Sequence, residues 1–131
     1  MSTSNSSAFG LSTITQIGVT AHDIDRATEF YRDKLGMKHL FSAPPGLAFF
    51  DCAGVRLMLS LPSSTEFDHP SSILYFNVDD IQQAHATLAE RGVEFIEPPA
   101  FVVNMDSYDL WIASFRDSEN NVLALMSNVA H

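Results

Sequence analysis

Hydrophobic and polar positions alternate through TITQIGVT, a run rich in β-branched residues, and this predicts a strand over about residues 14–20. The period then changes. In HDIDRATEFYRDKLG the apolar residues Ile24, Ala27, Tyr31 and Leu35 recur at helical spacing, Asp23 stands where a cap is needed, and Gly36 can end the helix. Three short strand-like runs follow: MKHLFSA, then GLAFFDC after a PPG turn, then VRLMLSL after an AG turn. Residues 13–61 therefore read as one β-α-β-β-β module.

PSSTEFDHPS, residues 62–71, is a Ser/Pro-rich linker, and beyond it the same order restarts over 72–127. SILYFNV reads as a strand and DDIQQAHATLAERG as a helix, with Asp79 and Gln82 as a capping-box pair, Ile81, Ala84 and Leu88 as the apolar stripe, and Gly92 as the stop. VEFIE, a Pro-Pro break, DLWIASF and NVLALMS supply further strands, and AFVVNMDSY is open between strand and long loop. The halves overlay at a constant offset: Asp23 on Asp80, Ile24 on Ile81 and Ala27 on Ala84, each 57 residues on. Both modules are expected to share one domain, 13–127, behind a polar, disordered tail at residues 1–12.

Charge narrows the classes of partner. With 7 basic and 16 acidic side chains in 131 residues, the net charge of −9 argues against a nucleic-acid backbone as partner, because that grip depends on lysine and arginine releasing counterions. It suits a cationic aromatic ligand as well as it suits an ordinary soluble protein. The chain has no apolar run of the roughly 18 residues a membrane span needs. Ser-rich MSTSNSSAFGLST lacks the basic and apolar regions of a secretion signal. The lone Cys52 has no intrachain partner, so the expected location is cytoplasmic.

Four stretches carry a resemblance: QIGVTAHDIDRATEFYRDKLGM, VRLMLSLP, YFNVDDIQQAHATLAERGVEFIEPP and SFRDSENNVLAL. With them the chain resembles the vicinal oxygen chelate superfamily, which includes glyoxalase I, bleomycin-resistance proteins, fosfomycin-resistance enzymes and extradiol dioxygenases. The last stretch is similar to the family's F-x-D-P-x-G-N turn, kept as Phe115, Asp117 and Asn121, with Ser118 for proline and Asn120 for glycine. The resemblance implies an α+β fold in which two βαβββ modules form a half-open cleft. In metal-dependent members four strands each supply one ligand, and a divalent ion so held polarises two neighbouring substrate oxygens. The corresponding positions here are Gln16, Met58, Ile73 and Ala124. Only glutamine suits a hard cation, so the resemblance implies no cofactor and argues against a divalent metal.

The same register predicts the cleft lining, because side chains alternate across a strand. It comprises Gln16, Gly18 and Thr20; Arg56, Met58 and Ser60; Ile73, Tyr75 and Asn77; and Val122, Ala124 and Met126. The opposite faces are uniformly apolar, as helix-covered faces should be. An apolar cleft with scattered polar groups suits an organic molecule, the alternative being a filled core. Arg56 could hold an anionic ligand group by paired hydrogen bonds or reach to solvent. Tyr75 and Asn77 could orient a ligand.

Elsewhere the bland readings are the simpler ones: His22 as a solvated loop residue, His85 as a partly exposed helix residue, Glu66, Asp68 and His69 as a solvated linker cluster, and Cys52 as a buried thiol. No partner can be named for His39, and the aromatics Phe41, Phe49, Phe50, Tyr108 and Trp111 are unsorted between core and cleft.

The expected function is a small-molecule-binding protein without the usual metal site, sequestering an apolar or aromatic ligand. The alternative is a lyase, isomerase or dioxygenase with a displaced metal or none, and a regulatory subunit with a closed cleft is a third reading. A homodimer is expected by resemblance, with the cleft formed within one chain or between two.

Overall fold

A computed structural model describes residues 9–130. Its elements run β1 (Gln16–Thr20), α1 (Ile24–Glu29) continuing into a π-helical turn (Phe30–Lys34), β2 (Lys38–Ala43), β3 (Leu47–Cys52), β4 (Val55–Ser60), a 3₁₀ turn (Thr65–Phe67), β5 (Leu74–Asn77), α2 (Ile81–Glu90), β6 (Glu94–Asn104), β7 (Tyr108–Arg116) and β8 (Val122–Ala130). Residues 1–8 of the expected tail lie outside the described residues, and residues 9–15 carry no regular secondary structure.

Two four-stranded sheets result, ordered β1-β4-β3-β2 and β5-β8-β7-β6. In each, the first strand runs parallel to the last, and the other neighbours are antiparallel. Each helix directly follows the first strand of its module, which frees that strand from hairpin pairing with the next one. The fold is α+β, built from two βαβββ modules.

The helix starts are near copies. Asp23 (φ −125°, ψ 97°) and Asp80 (φ −127°, ψ 98°) are both extended, and each carboxylate accepts the N–H three residues on, from Arg26 and Gln83, at 3.0 Å. The expected pair of Asp79 and Gln82 is thereby corrected. The cap must directly precede the first helical residue, Ile81, and Asp79 instead offers its carbonyl to the Ser127 hydroxyl at 3.2 Å.

Two other expectations change. The first helix widens after Glu29, where the Leu35 N–H reaches the Phe30 carbonyl five residues back at 3.1 Å. That turn buries the consecutive aromatics Phe30 and Tyr31, of which only Tyr31 belongs to the helical stripe. The Pro-Pro pair at 98 and 99 does not break its strand either: β6 runs through it with shifts in register. Edge position makes this possible, because an edge strand can lose an N–H from the ladder without orphaning an acceptor in the sheet interior.

A single core draws on both modules, with Tyr31, Phe50, Leu57 and Leu59 from the first and Ile81, Phe115, Leu123 and Leu125 from the second. Leu57, Leu59, Leu123 and Leu125 come from the faces predicted to lie under helices, and Phe50, which the sequence left unsorted, joins them. The opposite faces of both sheets therefore turn away from the shared core.

The turn between β7 and β8 ties the modules together. Asp117 Oδ1 accepts the N–H groups of Glu119 and Asn121, each at 2.8 Å, and its Oδ2 accepts the buried Tyr31 hydroxyl at 2.6 Å. Burial, reinforced by the Asp117 charge, raises the Tyr31 phenol well above its ordinary pKa, so it stays a donor. Glu119 Oε1 accepts the N–H groups of His22 and Asp23 at the start of α1, and its Oε2 accepts from Arg26 Nε at 2.8 Å. Its side chain is only 2% exposed. Burial alone would raise the Glu119 pKa, but the bonds from Arg26, the Asp23 and His22 backbone and Ser118 outweigh it and hold the carboxyl at about 2.

Candidate ligand-binding face

Register fixes which predicted residues share a surface. Gln16 lies opposite Arg56, Gly18 opposite Met58 and Thr20 opposite Ser60, and on the other sheet Tyr75 lies opposite Ala124 and Asn77 opposite Met126. Ile73 precedes β5 and is 46% exposed, whereas Ala124 is 1% exposed. Gln16, Gly18, Arg56, Tyr75 and Asn77 are exposed, while Met58, Ser60 and Met126 are half-buried.

The first sheet brings four side chains into one row, one from each strand. Arg56 Nε donates to Gln16 Oε1 at 2.7 Å, and the Arg56 guanidinium lies over the Phe49 ring, 5.1 Å from its centroid. Phe49 in turn stacks on Phe41 with centroids 4.5 Å apart. The Gln16 amide also donates to the Met58 sulfur at 3.6 Å. Among the described residues, no hydrogen bond, ion pair or ring contact joins this row to the second module.

The same geometry sorts the remaining aromatics. Phe41 and Phe49 belong to this outward face, Phe50 packs against Tyr31 and His39 in the core, and Trp111 meets Phe101 on the helix-covered side of its sheet. Tyr108 pairs with Ala130 at the end of β7, half-buried. Strand parity separates Phe49 from Phe50, but it is the row formed with Arg56 that sequence reading missed. Phe49 is opposite Met58 and so lies diagonally from Arg56, whose directly opposite residue is Asp51; that diagonal neighbourhood was the available signal.

The four positions implied to hold a metal do not fit one. The only oxygen donor among them, Gln16 Oε1, already accepts from a guanidinium, and that cation would repel a divalent ion at the same atom. Met58 offers a thioether, and Ile73 and Ala124 offer no donor. Among the described residues, no group of three or more His, Cys, Asp or Glu side chains could hold an ion. His22 is 2.8 Å from Asp68, His39 bonds Ser42, and His85 packs on the Phe95 ring, so these three histidines sit in separate local contacts.

A separate cavity of about 640 Å³ opens where the edge of β5 meets the helix-covered side of the first sheet. Its lining includes Ile17, Leu57, Phe76 and Cys52, together with Ile73, Tyr75 and Asn77 from the predicted set. Burial, then the neighbouring Asp51 charge, raises the Cys52 pKa, which keeps it a thiol rather than a nucleophilic thiolate.

Residues 13–125 match the family model described as the Glyoxalase/Bleomycin resistance protein/Dioxygenase superfamily. No curated protein shows significant sequence similarity to the chain. Among solved structures, a lactoylglutathione lyase from Agrobacterium tumefaciens superposes with a TM-score of 0.73 at 22% identity, over 90% of this chain and 95% of that one. A member of the same superfamily from Sphaerobacter thermophilus gives 0.74 at 24% identity, over 89% and 98%. One from Nocardioides gives 0.74 at 23%, over 93% and 87%. At these identities the likeness establishes the fold.

Proposed function

The chain belongs to the Glyoxalase/Bleomycin resistance protein/Dioxygenase superfamily, and from that premise we propose that it is a metal-free, cytoplasmic small-molecule-binding protein that sequesters an apolar or aromatic ligand. One observation carries the reading. Where metal-dependent members are expected to place four ligands, this chain has one oxygen donor, and Arg56 holds it at 2.7 Å. Beside it Phe41, 49% exposed and stacked on the buried Phe49, supplies apolar area for a bound organic molecule.

A sheet face that turns outward leaves a ligand half in water. The strands β1 and β5 each have one sheet partner, and Phe41, Ile73 and Tyr75 are 49%, 46% and 51% exposed. A second copy of the chain covering these surfaces would close the cleft, so the working form is a homodimer. Light scattering after size exclusion should give twice 14.4 kDa, and a 14.4 kDa species at working concentration would remove this part of the proposal.

The deciding experiment is elemental analysis of untagged protein combined with thermal melting against a panel of aromatic molecules. Expected are substoichiometric zinc, nickel, manganese and iron, and a melting temperature that rises with ligand concentration. Stoichiometric metal that supports turnover of a methylglyoxal–glutathione adduct or a catechol would replace this reading with that of a lyase, isomerase or dioxygenase.

A further inference from the structure

Arg56 Nε is engaged by Gln16, which fixes the plane of the guanidinium, and the ring of Phe49 supports one of its faces. Neither terminal nitrogen has a partner among the described residues. Asp51 stands opposite Arg56 in the ladder, yet no ion pair joins them: its Oδ1 accepts the Gly54 N–H at 3.2 Å. Lys38 lies opposite Asp51 on the far side, so this face carries two cations against one acid in a chain whose net charge is −9. A guanidinium held in plane on an exposed residue, with its two outer nitrogens unengaged, offers paired donors of the kind a carboxylate accepts. The Phe41 ring, stacked on Phe49 and 49% exposed, continues the apolar surface away from that charge.

From this juxtaposition we propose that the ligand is an aromatic carboxylate, its two oxygens held by the outer nitrogens of Arg56 and its ring laid against the exposed Phe41, which the buried Phe49 supports from beneath. Arg56 thus supplies the positive charge and binds two neighbouring oxygens through paired hydrogen bonds. The inference rests on the ligand-binding reading above and narrows it to one chemical class. The overall negative charge does not oppose it at close range, because charges beyond roughly 8–10 Å are screened at physiological salt.

The test uses the full-length protein with 2-naphthoate and its neutral counterpart 2-naphthamide, followed by calorimetry. Wild-type protein should bind 2-naphthoate roughly tenfold or more tightly than 2-naphthamide. Arg56→Gln should lose that preference while binding 2-naphthamide within about twofold of wild type, Arg56→Lys should fall between, and Phe41→Leu should weaken both probes alike. Arg56 and Phe41 are exposed, and unchanged melting temperatures verify that the variants fold. Equal wild-type affinity for the two probes, or equal loss of both in Arg56→Gln, would overturn the carboxylate assignment and leave the ligand-binding reading standing. Failure of both probes to bind wild type would also overturn it, and the wider panel and the metal analysis would then decide that reading separately.

Discussion

On the outward face of the first module, Gln16, Arg56, Phe49 and Phe41 form a charged and aromatic row with one residue from each strand. The corresponding rows of the second module run Tyr75, Ala124, Ser114 and Glu97, then Asn77, Met126, Ile112 and Ala100, so they carry no cation and no aromatic pair, and their one charge is an acid on the edge strand. Beneath these faces the modules agree. Their helices start from aspartates with the same backbone angles, and their core strands bury the same kinds of residue. Close packing constrains the buried side, where a single methylene is felt, and leaves the outward side free to differentiate. The hairpins before the last strands differ as well. β3 and β4 join through Ala53 and Gly54, both at positive φ, whereas the longer turn over residues 117–121 reaches across to α1. The second module therefore caps the helix of the first, whereas among the described residues the side-chain cap of α2 is its own Asp80.

Asp117→Ala should break that asymmetry most severely. It leaves the Tyr31 hydroxyl and the N–H groups of Glu119 and Asn121 without their acceptor in a buried site, and the expected cost is about 3 kcal/mol or more. Asp51→Ala in the other hairpin loses one exposed bond to Gly54 and should cost less than about 1 kcal/mol. Urea denaturation of both variants measures the difference. Equal losses would mean that the long turn does not couple the modules.

Glu119→Gln comes next, with about 2 kcal/mol lost at neutral pH, because an amide N–H₂ would face Arg26 where a carboxylate oxygen now accepts. The pH dependence has a definite sign. The folded-state pKa of about 2 lies below the ordinary value of 4.5, so the wild-type carboxylate contributes its full stabilisation above about pH 4.5 and loses it as pH falls toward 2. The gap between wild type and Glu119→Gln should therefore narrow across that window. A gap that stays constant from pH 7 to pH 2.5 would show that the charge of Glu119 is not what holds α1.

The features that the two modules share were legible in the sequence, and the asymmetry was not. Alternation placed Leu57 and Leu59, and Leu123 and Leu125, on the helix-covered faces where they are buried, because a period of two puts each pair on one side of its strand. Asp23, Gly36 and Gly92 announced the helix ends through local chemistry alone, and Gly36 and Gly92 have φ of 71° and 89°. What could not be read depends on contacts between distant segments. Glu119 sits 96 residues from Asp23, and nothing local marks it as a cap. The π turn depends on two adjacent aromatics both finding the core, which helical spacing by itself excludes. At the candidate site, the face of Arg56 was legible, but its link to Gln16 and its seat on Phe49 depend on rotamers that the alternation rule leaves undetermined.

The smallest predicted effect concerns Asn120, which has φ of 70° where the family motif has glycine. A left-handed residue with a side chain costs about 1 kcal/mol relative to glycine unless, like asparagine, it can bond locally. Here Asn120 Oδ1 accepts from Arg116 Nη1 at 3.3 Å, a long and exposed bond that offsets little. Asn120→Gly removes the backbone strain and that bond together, and it enlarges the conformational freedom of the unfolded chain, so its net effect should lie within about 0.5 kcal/mol of zero. Asn120→Ala keeps the strain without the bond and should cost about 1 kcal/mol. If instead Asn120→Gly destabilises by as much as Asn120→Ala, the side chain and not the backbone angle holds this turn in place, and the positioning of Glu119 over α1 would then depend on Arg116 and Asn120 as well as on Asp117.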